Sequence, residues 1–176
     1  MWRLRAGTAA GVPIILGLLL AAGWQAQALA RDWTTYRNAR HGYMIAYPTG
    51  TFQDTPQKES EDGRLMVSQD GRARLLVGAF ANNEEVTLES YRELLLAESY
   101  PGATHDYAPV KARWFVLSGT RDGTMFYERV SFTCGGRLIN SWALLYPVAE
   151  RRTWDRVVEG IARTYAPGAG RSGDCD

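Results

Sequence analysis

The sequence predicts an α+β fold, a six-stranded and mainly antiparallel sheet with two helices packed on it, its elements ordered βββα-βββα. Three observations carry that prediction. Short β-prone segments are separated by Asp70-Gly71, Asp122-Gly123 and Gly135-Gly136, dipeptides suited to tight hairpin turns. One late segment repeats its apolar residues with the helical period. Segments such as Trp114-Phe115-Val116-Leu117 and Trp142-Ala143-Leu144-Leu145 are apolar at successive positions, so both sheet faces need cover.

The elements follow in order. Arg3 and Arg5 precede the apolar run Val12 to Ala22, which is short for a membrane span, and Ala28-Leu29-Ala30 has the small-x-small pattern of a cleavage site. Residues 1–30 are therefore expected to be an export signal. An uncleaved segment would instead tether the same domain. Arg31 to Gly42 reads as a polar, aromatic lead-in. Tyr43 to Tyr47 reads as a strand stopped by Pro48, and Thr51 to Gly63 as a polar loop. Leu65 to Ser68 and Arg74 to Ala79 form the first hairpin. Thr87 is the expected N-cap of a helix with Glu89 in its first turn, ended by Pro101-Gly102.

Trp114 to Thr120, Met125 to Thr133 and Leu138 to Tyr146 are the remaining strands, linked by two-residue turns. Glu150 to Tyr165 is the second helix: Trp154, Val157, Val158, Ile161, Ala162 and Tyr165 share one face. One domain is expected over residues 31–166, followed by a flexible Gly-rich tail, 167–176.

Charge narrows the partners. The chain has 20 Lys+Arg and 19 Asp+Glu, and two of the arginines lie in the export segment. A near-neutral domain argues against nucleic acid or an anionic membrane surface, both of which select a basic face. Periplasmic or secreted placement follows from the export signal. Cys134 and Cys175 are the only cysteines, and in an oxidising compartment they are expected to form one disulfide. Their spacing alone leaves two free thiols as the alternative.

Several segments carry a family resemblance: Tyr36-Arg37-Asn38-Ala39-Arg40-His41-Gly42-Tyr43, Tyr47-Pro48, Ser68-Gln69-Asp70-Gly71-Arg72-Ala73, Trp114-Phe115-Val116-Leu117-Ser118-Gly119 and Phe126-Tyr127. They resemble a group of uncharacterised secreted proteins of Gram-negative bacteria. An aromatic-Gly-aromatic strand running into Tyr-Pro, then a polar loop and a two-helix body, also resembles the PsbP-like fold. That fold occurs in photosystem II extrinsic subunits, in a nuclear-transport factor that binds the GTPase Ran, and in the bacterial lipoprotein DcrB. The resemblance implies a binding or accessory module without catalysis, and carries over no site residue.

No motif assigns catalytic chemistry. Gly168-Ala169-Gly170-Arg171-Ser172-Gly173 spells G-x-G-x-x-G, but it follows a helix and lacks the strand before and helix after that a dinucleotide site needs. His41 and His105 lack ligand spacing and read as solvated loop histidines, so neither metal nor cofactor is expected. Glu59, Glu61 and Asp62 miss the calcium-loop spacing. No G-x-S-x-G elbow is present.

Hairpin register supplies the one candidate site. Two-residue turns at Asp122-Gly123 and Gly135-Gly136 place Val116 opposite Arg129, Ser118 opposite Tyr127, Ser131 opposite both Trp114 and Asn140, and Trp142 opposite Arg129. One face then holds Phe115, Leu117, Phe126, Val130, Phe132 and Ile139 and reads as core. The other collects Trp114, Tyr127, Arg129, Asn140 and Trp142, with Arg129 able to lie against Trp142. That face suits an envelope protein partner or a small polar ligand; an internal polar network beneath a helix is the other reading. The sequence therefore favours a periplasmic, non-catalytic binding or accessory module. A small envelope hydrolase with unidentified catalytic residues is the alternative.

Overall fold

Asp122 (φ 49°) and Gly123 (φ 75°) both take the left-handed conformation, which is what a two-residue turn between right-twisted strands requires. Arg121 and Thr124 close that turn as a strand pair. The computed structural model describes residues 32–55, 60–169 and Cys175, within one unit spanning Asp32–Asp176. The expected export signal, Glu59, and the tail and G-x-G-x-x-G motif beyond Ala169 (Cys175 apart) lie outside the described residues.

The strands are β1 (Trp33–Arg37), β2 (Met44–Pro48), β3 (Phe52–Asp54), β4 (Gly63–Ser68), β5 (Arg74–Ala81), β6 (Thr104–Tyr107), β7 (Trp114–Arg121), β8 (Thr124–Thr133) and β9 (Leu138–Pro147). Helix α1 (Leu88–Leu94) runs into a π-helical turn, Leu95–Ser99, and α2 is Arg151–Thr164. The six-strand expectation is thus corrected. Among the described residues β1 and β2 pair as a two-stranded sheet, and seven strands form a second, antiparallel sheet in the order β3-β4-β5-β9-β8-β7-β6. The three added strands, β1, β3 and β6, are short and belong to segments read as lead-in or loop.

Gly135-Gly136 does not make a two-residue turn. The pair Thr133–Leu138 brackets a four-residue loop in which Cys134, Gly135 and Gly136 all have positive φ. Two extra residues preserve parity, so every side chain keeps its expected face.

Both faces of the large sheet are covered, unequally. On one, α2 and β2 bury Trp142, Leu144, Leu75, Val77 and Tyr43 together with the helix's own Trp154 and Ile161. The segment after α2 pairs with β2 through reciprocal bonds between Met44 and Ala166 of 2.9 and 3.0 Å. On the other face, α1 and the π-turn cover Phe115, Leu117, Phe126, Val130 and Ile139. A capping box starts α1: the Thr87 side chain accepts from the Ser90 amide at 3.1 Å, while Ser90 Oγ accepts from the Thr87 amide at 3.0 Å.

Candidate functional site

The strand pairs in the second half are those expected: Val116–Arg129, Ser118–Tyr127, Trp114–Ser131, Arg129–Trp142 and Ser131–Asn140. Trp114, Tyr127, Arg129, Asn140 and Trp142 accordingly share a face. It is the face α2 lies on, and its depth varies. Asn140 and Trp142 are fully buried, while Trp114, Tyr127 and Arg129 are half-buried.

Arg129 does not lie against Trp142. Its Cζ sits 4.8 Å from the Trp114 ring centroid, and Tyr127 takes the place on Trp142, with centroids 5.0 Å apart. Asn140 works as an anchor for the C-terminal segment. Its Oδ1 accepts from the Gly168 amide at 2.7 Å, and its Nδ2 donates to Thr133 Oγ1 at 3.0 Å. Arg129 Nε, Ser131 Oγ and Trp142 Nε1 are buried without a hydrogen-bond partner among the described residues.

The structure also holds a site that the sequence reading missed. Helix α1 covers the β7–β8–β9 part of its face, meets β5 where the Tyr91 and Phe80 ring centroids lie 6.2 Å apart, and leaves β4 and the rest of β5 uncovered. The result is a cleft of about 620 Å³ between the sheet and the wall made by Tyr91, Leu95, Ser99 and Tyr100. Leu76 and Phe80, at 40% and 41% exposure, point from β5 on this side, while Leu75, Val77 and Ala79 are buried on the other. Gly63 and Gly78 pair directly and leave the sheet without side chains between them. A second cavity of about 270 Å³, lined by Arg72, Arg74 and Arg121, shares Arg74, Ser99, Tyr100 and Leu145 with the first. The only sequence signal was alternation along β5, and it was masked because both its faces are apolar.

Glu128 forms part of the cleft floor. Tyr100 donates to its Oε2 and Ser141 Oγ to its Oε1, each at 2.7 Å. Burial pushes the Glu128 carboxyl above its ordinary range, outweighing both hydrogen bonds. Burial, with Glu128 nearby, pushes the Tyr91 phenol up to about 12.

His41 is not a solvated loop residue. It is buried, with Nε2 2.8 Å from Asp62 Oδ1, and Arg40 meets the same oxygen at 3.0 Å. His105 lies on edge strand β6, not in a loop, with its ring edge-on to Phe126. Among the described residues no cluster of three or more His, Cys, Asp or Glu is placed to hold a metal ion, and no helix is long and apolar enough to cross a membrane. Cys134 and Cys175 are joined by a disulfide, their Cα atoms 4.6 Å apart.

No family model matches the chain, and no curated protein matches it in sequence. Solved structures do. The solution structure of cyanobacterial PsbP (CyanoP) from Synechocystis sp. PCC 6803 is 14% identical, with 92% of this chain and 98% of that one covered, at a TM-score of 0.54. The Ran-binding protein Mog1p of Saccharomyces cerevisiae is 8% identical, covering 81% of this chain and 98% of that one, at a TM-score of 0.57. The fold is PsbP-like; at these identities the likeness concerns architecture alone.

Proposed function

We propose that this chain is a non-catalytic binding module of the periplasm, and that it binds in the cleft beside α1. One observation carries the reading: Leu76 and Phe80 stay exposed on β5, where a sheet facing a helix would ordinarily bury them, beside a walled cavity of about 620 Å³. The floor is held in shape by the hydrogen bonds of Glu128 to Tyr100 and Ser141. Periplasmic placement rests on the charged start, short apolar run and Ala28-Leu29-Ala30. The likeness to a Ran-binding protein fits a binding role in kind and transfers no partner.

Hydrogen exchange of the exported protein, with and without a periplasmic small-molecule extract, tests this reading. Amides of β5 and of the α1–π-turn wall should become protected. Absence of protection there would remove the cleft as the site.

A second reading places recognition on the α2-side face, at Trp114, Tyr127 and Arg129. It is favoured by the half-buried Arg129–Trp114 stack and the unpaired polar atoms beneath it. Asn140 and Trp142 would then support the surface from below, since both are buried.

A further inference from the structure

The charges around the cleft are segregated. Along β5, alternate residues Arg74, Leu76, Gly78 and Phe80 face the cavity, a run of about 20 Å at the usual rise per residue. The guanidinium groups free to face the cavity gather at one end; Arg64 also lines the cleft, but it stands in register with Val77 on the other face and lays its guanidinium 4.4 Å over the Tyr36 ring. Arg74 stands in strand register with Leu145, and Arg121, closing the β7–β8 turn, lines the same small cavity with Arg72.

These arginines differ in commitment. Arg72 is paired to Asp70 at 2.9 Å and to Glu150. Arg121 reaches the Ser99 carbonyl at 3.2 Å and only loosely meets the exposed Asp122, at 3.9 Å. Arg74 is exposed and makes no ion pair among the described residues. Beyond this end, the cleft wall and floor from Leu76 to Phe80 are mostly apolar, with Glu128 the only carboxylate lining the larger cavity.

We infer that the cleft takes a free single-chain amphipathic anion, its carboxylate or phosphate head held by Arg74 and Arg121 and its alkyl tail lying over Leu76 towards Phe80. This rests on the cleft reading above and adds the ligand's class. Guanidinium groups match such heads through paired N–H donors, and the tail removes exposed apolar surface from water. Among the residues lining the larger cavity, a ligand charged at both ends meets no second guanidinium towards Phe80, since that of Arg64 is turned onto the Tyr36 ring. A neutral one leaves Arg74 unmatched. Protonation of Glu128 in its buried setting would remove the one negative charge beneath the tail.

Calorimetric titration of the full-length mature protein with dodecanoate, dodecyl phosphate, dodecanol and acetate tests the inference. Both amphipathic anions should bind, dodecanol at least about tenfold more weakly, and acetate not measurably, since one charge-assisted hydrogen bond is worth about a factor of ten. Arg74→Ala and, separately, Arg74→Gln should each weaken dodecanoate about tenfold and leave dodecanol unchanged. Leu76→Glu should abolish binding of both, while Arg152→Ala, on the exposed side of α2, should change nothing. Equal affinity for dodecanoate and dodecanol, or indifference to Arg74→Gln, overturns the inference. So does binding only to phosphatidylglycerol vesicles, which would make the ligand a membrane surface. If the probes fail while the periplasmic extract still protects β5, the ligand class falls and the cleft reading stands.

Discussion

Tyr100 donates a 2.7 Å hydrogen bond to Glu128 Oε2 while its ring stacks on Phe126, 4.0 Å between centroids and 12° from parallel. The π-turn that closes helix α1 is thereby fastened to β8 at two points, one polar and one apolar. The carboxylate sits at the boundary between the core under α1 and the open cleft, so its protonation state bears on both stability and cleft electrostatics.

The first prediction concerns pH. Burial raises the Glu128 pKa above its ordinary value of 4.5. The folded state therefore holds this proton more tightly than the unfolded chain does. Stability from the group is fully present below about pH 4.5 and is lost as pH rises through the folded value. Glu128→Gln keeps an acceptor for Tyr100 and cannot ionise. Thermal melts should show the variant and the wild type converging near pH 4, with the variant the more stable by neutral pH. Parallel curves across that range would contradict the prediction.

The second concerns the C-terminal segment. Asn140, fully buried, bonds the Gly168 amide at 2.7 Å, and Thr133 Oγ1 donates to the Gly168 carbonyl at 2.7 Å. Asn140→Ala leaves buried polar groups unpaired and should cost about 1–3 kcal/mol. The amides of Ala166 and Gly168 should exchange faster than those of β9 itself. A uniform rise across the sheet would mean that Asn140 supports the whole fold and not this segment.

These residues show what the sequence could reveal. Register in the β7–β8–β9 meander was legible because Asp122-Gly123 favours one turn geometry and parity then places each side chain. The loop after Thr133 was longer than expected by two residues, so it cost no register. The short strands were illegible for a physical reason: Trp33–Arg37 alternates only between exposed and half-buried and Thr104–Tyr107 is exposed throughout, so neither carries the apolar–polar alternation in sequence that marks a strand. Which face would be open was also hidden. Trp142 and Asn140 read as surface candidates, but α2 and the Gly168 segment cover them. Leu76 and Phe80 drew no reading of their own, and α1 reaches β5 only where Tyr91 meets Phe80, with ring centroids 6.2 Å apart. Local sequence specifies a face; the extent of a distant helix decides whether it is covered.

The third prediction is of export and oxidation together. Protein from the periplasmic fraction should begin at Arg31 by mass spectrometry, as Ala28-Leu29-Ala30 implies. Titration of the denatured, unreduced material should find no free thiol, since Cys134 and Cys175 are bonded. Cys175→Ser should lower stability by about 2–4 kcal/mol, the usual effect of opening a loop of this order. Full-length protein recovered from the cytosol with two free thiols would contradict both parts.

The last prediction separates the two candidate faces through Arg129. Its guanidinium covers the Trp114 ring at 4.8 Å, an arrangement worth about 0.5–2 kcal/mol when partly desolvated. Arg129→Ala removes that contact and opens space beside Ser131 and Trp142, but it touches nothing in the cleft, because Arg129 and Glu128 are adjacent in β8 and face opposite ways. With recognition in the cleft, the variant should melt a few degrees lower and keep full protection of β5 by the periplasmic extract. With recognition on the α2-side face, it should keep most of its melting temperature and lose its partner by about 1–2 kcal/mol. Trp114→Phe refines the test, since Phe retains a ring for the cation while narrowing the surface. A melting shift in Arg129→Ala that Trp114→Phe largely avoids, with cleft protection unchanged in both, is the expected result. It would leave the stack as a structural strut on the covered face of the sheet.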